Sequence, residues 1–246
     1  MELSLAAAAP LRIEQRDGIW IFTLNRPEKR NALSAALVDG LLDGVAEAHA
    51  QRARMLVFRG EGRGFSAGFD FADVETQSEG DLLLRFVRIE MLLQAVAASP
   101  CLTLGLAQGR NFGAGVDLFA ACRHRVAAPD ATFRMPGLRF GLVLGTRRFG
   151  AIVGAEKAAR ILEDSTTFDA AEAQAMGFVQ RVAPPEDWPA VIDATAAAAS
   201  ALDATSRAAL YRVLSADQDA ADLAELVRSA ARPGLKARIA AYLAPG

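Results

Sequence analysis

Apolar, β-forming residues gather in two short runs near the start of the chain, Leu11 to Arg16 and Ile19 to Leu24, joined at the polar turn Asp17-Gly18. This pattern predicts a β-hairpin, because Asp-Gly favours the type I′ turn whose twist matches paired strands. The period then changes. Leu37, Leu41, Leu42 and Val45 recur at helical spacing behind Ser34, which predicts a capped helix ending near His49. Met55 to Phe58 is an unbroken apolar run, read as a buried strand. A helix from about Asp81 to Ala97, a buried strand near Leu102 to Leu106, a helix ending near Ala121 and strands around His124 to Ala128 and Thr132 to Arg134 follow.

From Thr146 onward strands are scarce. Asp169 with Glu172 makes a capping-box start, Val179 to Val182 reads as the last strand, and the remainder is helical. Strand units alternating with helices, followed by a helical tail, predict an α/β class with a core over residues 1–185 and a helical C-terminal lobe over 186–246.

Glycines interrupt this pattern twice. Gly60, Gly62, Gly64 and Gly68 surround Phe65-Ser66-Ala67, and Gly109, Gly113 and Gly115 precede the helix ending at Ala121. Where a strand ends and a helix or loop begins, backbone N–H groups are left free to face an anionic oxygen, and two of them form an oxyanion hole. Tight turns packed against the sheet are the plainer explanation of the same glycines. A dinucleotide site fits less well, since Gly113-Ala114-Gly115 lacks the third glycine of the G-x-G-x-x-G fingerprint.

With 246 residues the chain is long enough for one large core without metal or disulfide staples. Its formal charge of -2 carries no footprint for nucleic acid. Cys101 and Cys122 lack a CxxC partner and read as reduced core thiols. The Ala-rich start, Met1 to Pro10, lacks a basic flank, and no run reaches the roughly 20 apolar residues of a membrane span. The expectation is a cytoplasmic protein without membrane contact.

Four segments resemble the crotonase superfamily, the enoyl-CoA hydratase/isomerase family. They are Leu24-Asn-Arg-Pro-Glu-Lys-Arg-Asn-Ala-Leu33, Gly64-Phe-Ser-Ala-Gly-Phe-Asp-Phe71, Gln108-Gly with Gly113-Ala-Gly-Val-Asp117, and Phe133-Arg-Met-Pro136 with Gly141-Leu-Val-Leu-Gly145. The resemblance runs to about Val182 and includes Ala170 to Gly177. It implies a spiral of ββα units with a C-terminal helical region, assembled as homotrimers or dimers of trimers. It also implies an acyl-CoA thioester as ligand, with CoA carried by the substrate and no separate cofactor or metal.

Carried over by position, the resemblance implies oxyanion N–H groups from Phe69 and Ala114, where the family usually has a glycine in place of Ala114. Ala67, Gly68, Phe71, Ala72 and Gly113 would flank the bound CoA ester. Asp70 lies in the same stretch and reads as structural. Arg26, Lys29 and Arg30 would meet its phosphates, or are solvated loop charges. The first hydratase carboxylate falls at Asp117, shorter by one methylene and so withdrawn by roughly an ångström. The second falls at Gly137, and Gly145 stands where some relatives carry Asp.

Asp117 is thus a candidate single base for a 1,3-proton shift, or an acid placed in a helix's first turn by the macrodipole. Arg134, Arg139, Arg147 and Arg148 crowd the region of the missing acid. They either bind a carboxylate on the acyl group or face solvent or a neighbouring subunit. Leu84, Val87 and Met91 fit an acyl pocket, but at helical spacing core is the commoner role. Besides an enolate-forming hydratase or isomerase, two alternatives stand: a catalytically silent acyl-CoA binding protein, and a divergent acyl-CoA hydrolase or lyase using Tyr211 or Tyr242. His49 and His124 sit in no motif.

Overall fold

A computed structural model describes residues 9–215 and 218–244; most of the Ala-rich start, residues 1–8, lies outside them. The hairpin forms as β1 (Leu11–Arg16) and β2 (Ile19–Leu24), with Asp17 and Gly18 both at positive φ, 49° and 74°, as a type I′ turn requires. From β2 the sheet continues in parallel through β3 (Met55–Gly60), β4 (Leu102–Ala107), β6 (His124–Ala127) and β9 (Arg181–Val182). A smaller sheet joins β5 (Arg110–Phe112), β7 (Thr132–Arg134) and β8 (Phe168–Asp169).

Alternate residues of the main strands enter different cores, as the two-residue period demands. Trp20, Phe22, Leu56 and Phe58 face α1 (Ala35–Ala50), α2 (Glu79–Ala97) and α3 (Ala114–Ala121). Ile19, Ile21, Met55 and Val57 meet Trp188, Val191 and Ile192 on the other side. A sheet covered on both faces has strands with no polar face, which is why β2 is buried along its whole length. β1 is the exposed edge, and Arg12, Glu14 and Arg16 along it discourage further pairing.

The remaining helices are α4 (Thr146–Val153), α5 (Ala155–Asp164), α6 (Ala170–Ala175), α7 (Trp188–Ala199), α8 (Ala204–Leu214), α9 (Asp219–Ala230) and α10 (Leu235–Leu243). α9 lies along α2, and α10 packs on the tight turn Gly137–Phe140. Among the described residues no helix is long and apolar enough to cross a membrane.

Three local expectations are corrected. α2 starts two residues before Asp81, because Asp81 is the third residue of a capping box closed by Ser78. Val179 is not in a strand: its N–H donates to the carbonyl of Ala173 at the end of α6, so pairing begins at Arg181. Leu84 and Met91 are exposed and Val87 half-buried; the core stripe of α2 is Leu82, Phe86, Ile89, Leu93 and Val96. β5 is a further strand, too short to show a period in the sequence.

The two glycine-rich segments are sewn together by buried amides. Asn111 accepts from the N–H groups of Phe65 (3.0 Å) and Ser66 (3.4 Å), and donates to the carbonyls of Gly109 (3.0 Å) and Thr132 (3.2 Å). Asn31 donates to the carbonyls of Glu61 and Gly64, each at 2.9 Å. A buried group that loses its partner costs about 1–3 kcal/mol. Asn111→Ala therefore lowers stability by about 2–4 kcal/mol, read as a fall in urea midpoint with unchanged slope. A variant within experimental error of wild type overturns the role given to this amide.

Candidate active site

The backbones of the two glycine segments touch where they turn. A Cβ on Gly109 would fall 1.8 Å from the carbonyl oxygen of Arg63, and one on Gly115 would fall 2.7 Å from Ser66. Gly68, at φ +82°, would drive a Cβ to 2.5 Å from the carbonyl oxygen of Phe112 and 3.2 Å from the nitrogen of Ala114. These contacts bring Phe69 and Ala114 to one place.

Their N–H groups are left over by the local geometry. Leu33 and Phe69 form a parallel bridge in which Leu33 donates to the Gly68 carbonyl (2.7 Å) and the Asp70 N–H donates to the Leu33 carbonyl (3.4 Å). In such a bridge the residue between the two bonds points its own N–H the other way. Ala114 is the first residue of α3, so its N–H has no intrahelical partner. Gly113, at φ 46° and ψ -124°, aims the start of the helix, and its own N–H donates to the Arg134 carbonyl (2.8 Å). Among the described residues neither Phe69 nor Ala114 donates its N–H to a protein acceptor.

A cavity of about 40 Å³ is lined by Phe69, Ala114, Asp117 and Gly137, together with apolar groups that include Phe86, Phe140 and Leu162. Asp117 is 4% exposed, and its Oδ1 has no hydrogen-bond partner. Gly145, at φ +64°, backs directly onto this carboxyl: a Cβ there would fall 2.0 Å from Oδ1. Burial pushes the Asp117 carboxyl well above the usual carboxylate range; Arg148 opposes that shift and Glu90 adds to it. Gly137 presents no side chain, so among the lining residues Asp117 alone carries a carboxyl.

The wall at Phe69 is stiff. Its ring stacks on Phe86 at 4.2 Å, with Phe71 edge-on at 5.1 Å. The Arg85 guanidinium lies 4.1 Å from the Phe69 ring centroid and donates to the Asp70 carbonyl (2.6 Å). Tyr242 of α10 packs on Phe140 at 5.2 Å, whereas Tyr211 lies beneath Arg123, away from the cavity. His49 meets Ser99 (2.8 Å), also away from it.

The flanking residues divide into two groups. Arg26 donates from one nitrogen to Asp70 (2.7 Å) and to the Ala32 carbonyl (2.7 Å), so that nitrogen is committed inside the chain. Asp70 also accepts from the Ala72 N–H (3.0 Å); burial pushes its carboxyl up, but the hydrogen bonds from Arg26 and Ala72 outweigh this and hold it below the ordinary value. Lys29, Arg30 and Ala72 are exposed, and Ala67, Phe71 and Gly113 are half-buried.

The arginines expected to crowd the site are each bonded to other groups within the chain. Arg134 and Arg139 bind the end of α5 through the Ser165 carbonyl (3.0 Å), the Ser165 hydroxyl (3.2 Å) and the Asp164 carbonyl (2.8 Å). Arg147 pairs with Asp222 (2.7 Å), and Arg148 with Glu90 (2.5 Å). Glu90 was readable as unusual, being a charge four residues beyond Phe86 on the apolar stripe of α2. Arg85, Met135, Leu138, Leu142, Leu144 and Thr146 had no comparable signal.

The family model described as Enoyl-CoA hydratase/isomerase matches residues 14–233. A protein of Mycobacterium tuberculosis named "Probable enoyl-CoA hydratase echA6" is 34% identical over 174 residues, 69% of each chain. A crystal structure of an enoyl-CoA hydratase/isomerase-family protein from Bordetella parapertussis is 65% identical, covers 97% of this chain and 100% of its own, and superposes with a TM-score of 0.96. An enoyl-CoA hydratase structure from Mycobacterium avium subsp. paratuberculosis is 27% identical over 98% of this chain and 97% of its own, with a TM-score of 0.75.

The buried carboxyl predicts a pH signature. A carboxyl whose value is raised by folding holds its proton more tightly in the folded chain, so folding stability falls as pH rises from the unfolded value toward the folded one. Asp117→Asn removes this loss. The difference in Tm between Asp117→Asn and wild type moves in favour of the variant as pH rises from about 4 to about 8. A difference that stays constant over that range overturns the raised value.

Proposed function

Because this chain belongs to the enoyl-CoA hydratase/isomerase family, we propose that it binds an acyl-CoA thioester with the carbonyl oxygen between the N–H groups of Phe69 and Ala114, and that its chemistry passes through an enolate with Asp117 as the single acid–base group. One observation carries this reading: Phe69 and Ala114, whose N–H groups meet no protein acceptor among the described residues, line the same small cavity as Asp117, whose carboxyl has a partnerless oxygen. Charge developing on the thioester oxygen is stabilised by fixed donors in a site with little water, each worth roughly 3–4 kcal/mol of barrier.

The reaction that this set of groups supports best is a 1,3-proton shift. Ionised Asp117 takes a proton from the carbon next to the carbonyl of a 3-enoyl ester, and the electron pair moves onto the thioester oxygen held by Phe69 and Ala114. The same carboxyl returns the proton two carbons further along, leaving a 2-enoyl ester. Hydration asks for a second group to hold and deprotonate water, and Gly137 offers none. Burial raises the Asp117 carboxyl above its ordinary value, so turnover is expected to climb as pH rises through that raised value. Exposed Lys29 and Arg30 are proposed to meet the CoA phosphates. The homotrimer, or dimer of trimers, is the assembly proposed with this reading, on the strength of the family resemblance.

Turnover of 3-hexenoyl-CoA and crotonyl-CoA by the purified chain tests the proposal. Isomerisation of the first exceeds hydration of the second, and Asp117→Asn lowers it by about 10²-fold or more. Ala114→Pro removes one donor at the first helical position, where proline is tolerated, and lowers kcat by about 10²–10³-fold. Crotonyl-CoA hydration that outruns isomerisation and survives Asp117→Asn overturns the single-carboxyl mechanism. Esters that bind without any turnover assign the chain to acyl-CoA binding instead.

A further inference from the structure

A second cavity lies at the opposite end of the strands from the candidate active site. The turns that carry Phe69 and Ala114 follow β3 and β4, whereas this cavity, of about 400 Å³, is lined by residues that precede them: His49, Arg52 and Arg54 before Met55, and Cys101 before Leu102. β3 and β4 are parallel and of six residues each, so the two ends stand roughly 17 Å apart. The other wall comes from residues 199–207, where α7 gives way to α8. The cavity therefore sits between the sheet and the C-terminal helices.

Arg207 is the unusual group on that wall. It is 5% exposed, yet its side chain makes one hydrogen bond, from Nη2 to the Leu202 carbonyl (2.7 Å), and among the described residues it pairs with no carboxylate. The other buried arginines are satisfied: Arg125 donates to three backbone carbonyls, and Arg148 pairs with Glu90. A buried charge needs a partner, and the one acid lining the cavity does not supply it. Asp203 spends its oxygens on the Ser206 N–H (2.9 Å) and hydroxyl (2.6 Å). Facing Arg207, exposed Arg52 has no side-chain partner among the described residues, and Arg54 holds the Asp17 carbonyl and the Ser200 hydroxyl. We propose that this cavity binds a phosphate group, as the free ion or as a small phosphate monoester, with Arg207 as its buried partner. Guanidinium groups stand on both walls, and four tetrahedral oxygens can meet both, where a planar carboxylate serves one. Bound there, the anion ties the C-terminal helices to the sheet. The inference is independent of where the thioester lies.

Calorimetric titration of the full chain with inorganic phosphate in a chloride buffer tests this site. One site per chain saturates, and Tm rises with phosphate concentration. Arg207→Gln weakens binding by about 10- to 100-fold. Arg52→Asn, at an exposed position whose positive φ of 55° asparagine accepts, weakens it by about two- to fivefold and keeps the test clear of any folding defect at Arg207. Glycerol 3-phosphate that binds more tightly than inorganic phosphate identifies an ester as the ligand, and equal affinities identify the free ion. Saturating crotonyl-CoA leaves the phosphate isotherm unchanged; competition between the two places the phosphate in the thioester site and overturns the inference. Absence of saturable binding, or binding that survives both variants, overturns it as well. So does an Arg207→Gln chain whose assembled size changes while its phosphate affinity does not, which assigns Arg207 to contact between copies.

Discussion

The close approach of two backbone turns is the constraint on which this molecule depends. Gly68, Gly109 and Gly115 sit where a Cβ would fall 1.8 to 2.7 Å from a neighbouring atom, most of these being backbone carbonyl oxygens. Carbonyls and amides pressed together in this way need partners, and the buried side-chain amides of Asn31 and Asn111 supply them. With those bonds made, the sharp entry into α3 and the parallel bridge at Leu33 and Phe69 follow. Among the described residues the N–H groups of Phe69 and Ala114 are left without a protein acceptor.

Three acids near this centre show how surroundings decide the state of a carboxyl. Asp70 meets Arg26 and a backbone N–H and is held ionised. Glu90 is buried but joined to Arg148 and Gln94. Asp117 is equally buried, has an oxygen with no donor, and faces a glycine instead of a side chain. Desolvation without compensation favours its neutral form. Of the three, it is the one whose surroundings favour the neutral form, and the proposed reaction is given to it for that reason. The four arginines nearby extend the same logic: each is bonded within the chain, to the end of α5 or to acids on α2 and α9, and so serves packing between helices.

Rigidity around the site comes from rings. Phe86, Phe69, Phe71, Phe140 and Tyr242 form a chain of contacts that runs from α2 across the cavity wall to α10. Arg85 closes it over Phe69 and holds the next carbonyl in place. The C-terminal helices thus bear on the geometry of the donors although their own residues reach the cavity only through Phe140.

The sequence by itself determined the hairpin, most of the strands and helices and the two glycine turns, and its family resemblance implied that Gly137 stands where a second acid would. These are local signals: Asp-Gly needs only its neighbours to turn, and Ser34 caps a helix three residues away. The family resemblance of its motifs implied that Phe69, Ala114 and Asp117 share one site, and all three line one cavity. Tertiary structure alone decided what each charged group does there. Arg26 with Asp70, Arg148 with Glu90 and Asp117 with Gly145 are pairs 28 to 58 residues apart in sequence. Hydrophobic periodicity carries no record of such pairs. A charge's protonation, and its freedom to bind a ligand, depend on burial and on the partner it meets, and both exist only once the chain has folded.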